Sequence, residues 1–408
     1  MKKYEYVILG GGTTAGYAAE EFVNQNIDKD QLFIISKEKI LPMNRPPFSK
    51  GYLYGGNTED ILIQDQNYYD RHGIEILSGT KAENIDFNKK LITINNNSDE
   101  INYNKLLIAT GSKVKKLNIP GAENNVYYLR TMEDAEKIRS KAVGSKKAVV
   151  IGGQFIASEV AASLRMLGLN VTLIYPHEYL MNSFDNEELG IFFNYLFSSK
   201  GVHLLKNTQA VEIKQKEEAK KIILDSGDMI EADMIIAGVG AEPDTALFKS
   251  TELVINDGII VNKYCETSIS DVYAAGDVAV FPDNVFGKLR RLEHWQNAYD
   301  QGKLAARNMA GHYFEYTEIP YFFSDLFEYS YEFWGDISNS DDYIIKGNPN
   351  KGNFSIFWMH EDIIIAAFIS QKRPDTERTK AKEWIINKQR INVELLRQTD
   401  VPFEVTLI

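Results

Sequence analysis

Tyr4–Gly16 reads YEYVILGGGTTAG, an apolar run from Tyr6 to Leu9 that ends in three glycines. AAEEFV follows in helical register, so the stretch predicts a buried strand, a tight turn and a helix. Gly10, Gly12 and Ala15 occupy the three key positions of the G-x-G-x-x-G/A dinucleotide fingerprint. At the first position glycine lets the strand turn sharply. At the second, the missing side chain lets backbone approach a pyrophosphate. At the third, a small residue lets helix and strand pack closely, with the helix N-terminus aimed at the anion.

A second copy lies at Lys146–Pro176, KKAVVIGGQFIASEVAASLRMLGLNVTLIYP. Strand, turn, helix and second strand are all legible there. Gly152 fills the first glycine position and Ala157 the third, but Gln154 stands at the second, where a side chain is expected to crowd a pyrophosphate. Tyr175 occupies the strand end where an acid would bind a ribose, and no Lys or Arg lies between Asn170 and Glu188 to meet a 2′-phosphate. A nicotinamide cofactor here is therefore expected to be NADH rather than NADPH. In the first unit LFIIS (Leu32–Ser36) is the expected second parallel strand. Ser36 stands near the acid position, and Glu38 reads either as a ribose contact or as a solvated charge.

The chain has 408 residues, enough for two or three domains, and a net charge of −12, which argues against a general nucleic-acid or anionic-membrane binder. No apolar run approaches the roughly 18 residues of a membrane span. Lys2 and Lys3 precede an apolar stretch too short for a signal peptide, interrupted by Glu5, so a cytoplasmic protein is expected. Cys265 is the only cysteine, and a chain with one cysteine forms no intrachain disulfide. The histidines His72, His177, His203, His294, His312 and His360 show no metal-ligand spacing, so no metal site is expected.

Further motifs punctuate the chain. PMNRPPFSKGYL (Pro42–Leu53) is stiffened by prolines and carries Arg45 and Lys50. INYNKLLIATGS ends at Ala109-Thr110-Gly111, a turn that brings backbone to a cofactor and suits a crossover between domains. MIIAGVGAEPDT (Met234–Thr245) has a similar exit, and DVYAAGDVAVF places Asp277 just after Gly276 at a strand end. From Ile319 the composition changes. Phe327, Tyr329, Tyr331 and Phe333 alternate with polar residues and read as one strand with an aromatic core face. NFSIFWMHEDIIIAAFIS reads as a hairpin turning at Glu361-Asp362, and TERTKAKEWIINKQ as an amphipathic helix with Trp384 and Ile385 inward.

Together VILGGGTTAG, PMNRPPFSK, LLIATGS, VVIGGQFIASE, DVYAAGDVA, EHWQNAYDQG and IPYFFSDLFEYSYEFWGD resemble the two-dinucleotide-domain flavoprotein reductases over nearly the whole chain. The nearest branch holds monodehydroascorbate reductases, apoptosis-inducing-factor-like proteins and NADH:ferredoxin or rubredoxin reductases. The resemblance implies an α/β fold with two Rossmann-like domains and a small α+β C-terminal domain. FAD binding is expected in 1–112 and 243–317, NAD binding in 113–242, and the third domain in 318–408. It also implies cofactor contacts at Gly10, Gly12, Thr13, Ala15, Glu38, Arg45, Lys50, Thr110, Gly111, Gly152, Gln154, Ala157, Glu159, Gly276, Asp277 and Trp295.

Within that set the resemblance gives Asp277 the ribityl hydroxyls and pairs Lys50, near the isoalloxazine, with Glu159, the two taken as catalytic. Trp295 matches an aromatic near the flavin. The expected reaction passes electrons from NADH through FAD to a one-electron acceptor. That acceptor is a ferredoxin or rubredoxin, or a small radical or quinone, and the enzyme is a monomer or homodimer. The alternative is an FAD-binding interaction or signalling protein with weakened NADH activity, which Gln154 favours. The redox-dithiol cysteines of disulfide reductases are missing. The arginine and tyrosine that contact ascorbate in plant relatives fall at Tyr299 and Phe323, so neither residue type is kept.

Overall fold

The computed structural model of the chain describes residues 2–95, 98–216, 219–398 and 401–407. The chain forms two compact units, the first built from Met1–Pro46, Asn57–Lys113 and Ala241–Glu318, the second from Pro47–Gly56, Val114–Gly240 and Ile319–Ile408.

In the first unit the strand Lys2–Leu9 lies at the middle of a sheet, parallel to Leu32–Ile35 on one side and Asp99–Ile108 on the other. Val7 and Ile8 are completely buried, as expected for a parallel strand covered on both faces. Glu75–Leu77 extends one edge in parallel, and Val272–Ala274 pairs in parallel with Asp99–Ile108. The antiparallel strands Leu91–Ile94 and Ala82–Asp86 complete the sheet. The helix Thr13–Asn24 crosses the helix Trp295–Met309 so closely that a Cβ on Gly302 would lie 2.6 Å from the Thr14 carbonyl oxygen.

The second unit repeats the plan. Its parallel sheet runs His203–Leu205, Asn170–Ile174, Lys147–Ile151, Met234–Ala237, Val126–Tyr127, with the helix Phe155–Met166 following the central strand. A three-stranded antiparallel sheet (Ala210–Lys216, Ala219–Leu224, Met229–Ala232) is appended. A five-stranded antiparallel sheet then runs Tyr321–Leu326, Tyr329–Gly335, Ile363–Ser370, Asn353–His360, Asp342–Asn348. The helix Asp375–Asn387 packs against this sheet, with Trp384 and Ile385 buried as their spacing predicts.

One expectation is corrected here. PYFFSDLFEYSYEFWGD is a hairpin of two strands, not one, and Phe327 sits in its turn with φ +57°. Alternation ran through the turn without a break because no Gly, Pro or Asn marks it. Tyr329, Tyr331 and Phe333 do form a buried face. Among the described residues no helix is long and apolar enough to cross a membrane.

Candidate functional site

The first unit gathers its candidate residues at the C-terminal ends of its parallel strands. Gly10 has φ +145°, and a Cβ there would stand 2.1 Å from the Ala109 carbonyl oxygen, so only glycine lets the two strand ends lie together. Gly11 is pressed against Ser36, whose Oγ would be 2.1 Å from an added Cβ. Ser36, which stands near the position where an acid was expected, packs closely against this turn. Gly12 caps the helix Thr13–Asn24 from an extended conformation. No side chain caps the helix N-terminus, and its first turn holds no acid. The leading N–H donors and the positive end of the helix dipole therefore stay available to an anion.

Arg45 reaches back over this turn, its Nη2 3.3 Å from where a Gly12 Cβ would be. Its guanidinium pairs with Glu38 at 2.5 Å, and the Glu38 side chain is only 10% exposed. The Glu38 carboxylate is thus enclosed and paired with Arg45. Thr13 Oγ1 donates to the Met43 carbonyl at 3.3 Å, tying the proline-rich loop to the helix, and Ala15 is fully buried.

Thr110 Oγ1 donates to the Asp244 carbonyl at 2.9 Å, and the Asp244 N–H donates back to the Gly111 carbonyl at 2.9 Å. Gly276 lies against Thr14, and its N–H donates to the buried Gln301 Oε1 at 2.9 Å. Asp277, half-buried, accepts from Ser112 Oγ at 2.9 Å. His294, also half-buried, precedes the helix Trp295–Met309. Burial lowers its pKa to about 4, with the Asp277 charge opposing the shift. Trp295 donates from Nε1 to Asn44 at 2.6 Å and stacks on Tyr299 at 5.4 Å, while Lys303 lies over the Tyr299 ring at 4.4 Å. These residues fit a dinucleotide: glycine-lined backbone and donors for the pyrophosphate, carboxylates for hydroxyls.

In the second unit Gly152 repeats Gly10, with φ +132° and the Gly238 carbonyl 2.3 Å from an added Cβ. Gln154 opens the helix Phe155–Met166 without capping it. Its amide nitrogen donates to Asn182 Oδ1, and its Oε1 accepts from Ser183 Oγ at 2.8 Å. The side chain is thus tied to the turn Asn182–Phe184 and makes no capping bond to its own helix. Ala157 is buried against Gly238. Tyr175 is buried beneath Gly153, with Asn194 Oδ1 3.1 Å from its hydroxyl. The nearby cation outside the sequence window, Lys206, is paired with Glu178.

The same unit brings Lys50 to Glu159, Nζ to Oε1 3.3 Å, with side chains 13% and 7% exposed. Asp325 lies 3.4 Å from Nζ on the exposed side, and the Phe323 ring centroid is 5.1 Å away. Ser49 and Ser324 donate to the two Glu159 oxygens at 2.5 and 2.6 Å. Ser49, Ser324 and Asp325 went unnoticed in the sequence. The available signal was Ser324, a buried hydroxyl on the same strand face as Phe322 and Leu326, where an unpartnered polar group would be expensive. Arg45 belongs to the first unit and Lys50 to the second. Among the described residues no group of three or more His, Cys, Asp or Glu is arranged to hold a metal. Cys265 is buried, its thiol pushed up to about 12 by burial, with Glu266 adding to the shift.

Two glycine-turn folds of the dinucleotide-binding kind thus lie on one chain. The chain belongs to the pyridine nucleotide-disulphide oxidoreductase family, whose model matches residues 4–302. It is 34% identical to monodehydroascorbate reductase of Pisum sativum over 413 residues, covering 94% of each chain. Its fold is similar to that of a ferredoxin reductase from Rhodopseudomonas palustris, with a TM-score of 0.92, 26% identity and coverage of 99% of this chain and all of that one. It is likewise similar to NADH:rubredoxin oxidoreductase from Clostridium acetobutylicum, with a TM-score of 0.77, 28% identity and coverage of 96% and 97%. The chain is an FAD-dependent NAD(P)H oxidoreductase with two Rossmann-like domains.

Proposed function

We propose that this enzyme oxidises NADH and passes the electrons singly to an acceptor, without a redox-active disulfide. The acceptor is a small redox protein of the ferredoxin or rubredoxin kind, or a small radical or quinone. The observation that carries the reading is the pair of glycine turns, each opening a helix whose N-terminus no side chain caps. Bound FAD supplies hydride acceptance and one-electron release, and the protein supplies position and charge.

On this reading the turn at Gly10, Gly12, Thr13 and Ala15 holds the FAD pyrophosphate with Arg45 above it. Glu38 and Asp277 take hydroxyls, Thr110, Gly111 and Gly276 offer backbone, and Trp295 shields. Gly152, Gln154 and Ala157 line the nicotinamide dinucleotide. Glu159 holds Lys50 as the site's buried cation. The FAD-binding segments are 1–112 and 243–317, the NAD-binding segment 113–242 and the C-terminal domain 318–408. The enzyme is taken to work in the cytoplasm as a monomer or homodimer.

NADH is favoured because Tyr175 closes the strand end and Lys206 is already paired with Glu178. Direct exit of electrons from the flavin is supported by the sealed Cys265 thiol. Tyr299 and Phe323, in place of the ascorbate-contacting types, favour another acceptor than the ascorbate radical. The alternative of an interaction protein with weak or lost NADH activity leaned on Gln154 and on the missing ascorbate-contacting types, and the tether of Gln154 to Asn182 and Ser183 weakens the first of these. Steady-state assays with NADH and NADPH against ferredoxin, rubredoxin, a benzoquinone and the ascorbate radical test the reading. NADH with a redox protein or quinone should give the highest kcat/KM, and a strict NADPH requirement or turnover with the ascorbate radical alone would overturn it.

A further inference from the structure

The buried carboxylate of Glu159 is held by more than its lysine. Ser49 Oγ donates to one oxygen at 2.5 Å and Ser324 Oγ to the other at 2.6 Å, and both serines are almost fully buried. Ser49 comes from the proline-rich loop, Ser324 from the strand Tyr321–Leu326 and Glu159 from the helix Phe155–Met166, so three distant segments meet at one carboxylate. The helix grips Ser49 twice. One turn beyond Glu159, Ser163 Oγ donates to the Ser49 carbonyl at 2.6 Å.

Lys50, by contrast, is held loosely. Its Nζ stands 3.3 Å from Glu159 and 3.4 Å from Asp325. A direct ammonium–carboxylate hydrogen bond closes to roughly 2.7–2.9 Å. We propose that Ser49 and Ser324 are positioning residues that hold the Glu159 carboxylate back from Lys50, so that the ammonium keeps donor capacity and charge for the electron-transfer site. The proposal rests on the reading of Lys50 as the cation that serves the flavin.

The physical reason is donor supply. A buried carboxylate oxygen stripped of its hydroxyl donor must find another. Lys50, 3.3 Å away, can supply it, and the carboxylate then closes on the ammonium. The lysine then becomes one half of a tight pair, and its charge is spent on Glu159.

The test is the flavin midpoint potential of the holoenzyme, measured by equilibration with a reference dye, for wild type, Lys50→Met, Ser49→Ala/Ser324→Ala, and Ser324→Thr. Lys50→Met should make the flavin harder to reduce. The double serine variant should move it in the same direction, lowering the equilibrium constant for reduction by about tenfold, a change equivalent to 1.4 kcal/mol. Ser324→Thr, which keeps the hydroxyl, should stay within about twofold of wild type. If the double variant does not retain FAD, Ser324→Ala alone reads the same shift. A potential that moves in Lys50→Met but not in the serine variants overturns the positioning role. A potential unmoved by Lys50→Met overturns the reading of Lys50 itself, and this proposal with it.

Discussion

Gly12→Ala separates cofactor binding from folding. Gly12 has φ −96° and ψ −161°, a conformation open to any residue. An added Cβ would meet only Arg45, at 3.3 Å from Nη2, the movable end of a long side chain. The loss of folding stability should be about 1 kcal/mol or less, the usual worth of an N-cap change. The methyl group would occupy the space through which a pyrophosphate reaches the N–H donors of the helix Thr13–Asn24. Losing one charge-assisted hydrogen bond costs about 1.5–3 kcal/mol, or roughly 10–100-fold in Kd.

Gly10→Ala is the contrasting change. With φ +145° and a backbone oxygen 2.1 Å from the new Cβ, it should destabilise the apoprotein by about 3 kcal/mol or more. FAD affinity is read by fluorescence quenching on reconstitution, and stability by urea unfolding of the apoprotein. Gly12→Ala protein that binds FAD as tightly as wild type would refute the assignment of this turn to the pyrophosphate.

Three further outcomes are expected. His294, its pKa lowered to about 4 by burial, stays neutral in the fold while the unfolded chain protonates near 6.5, so stability should be constant above that pH and fall as pH drops from about 6.5 to 4. The difference is at most ~3.4 kcal/mol at about 1.36 kcal/mol per unit, and His294→Gln should flatten that part of the urea-midpoint profile; parallel profiles would contradict it. Cys265→Ala should keep full turnover, and the native thiol should resist alkylation; loss of turnover would implicate the sulfur in the reaction. Gln154→Gly should change the KM for NADH by less than about threefold, whereas Asn182→Ala, which frees the amide, should raise it by about fivefold, the worth of a ~1 kcal/mol hydrogen bond. A large gain of activity in Gln154→Gly would show the side chain to be an obstruction.

Local pattern carried much of this structure. Both fingerprints were readable because a strand, a positive-φ glycine and a helix lie within a dozen residues, and Gly10 and Gly152 have just that geometry. Trp384 and Ile385 were readable from helical spacing. The hairpin turn at Phe327 was not, because a non-glycine residue takes the left-handed conformation there without a turn signal around it. The role of Ser36 was hidden for another reason. It depends on how closely the Gly11 backbone approaches the neighbouring strand end. The restraint on Gln154 depends on Asn182 and Ser183, and the clamp on Glu159 on two serines from remote segments. Such contacts follow from tertiary packing, and spacing along the chain does not encode them.

The central claim is that electrons from NADH enter a flavin held by the first fingerprint and leave it without passing through sulfur. Anaerobic stopped-flow mixing of the purified Cys265→Ala holoenzyme with NADH tests it most directly. The account predicts a yellow protein whose flavin absorbance bleaches on mixing and returns when an acceptor is added. A colourless protein that cannot be reconstituted with FAD, or a bound flavin that millimolar-scale NADH leaves oxidised, would contradict it.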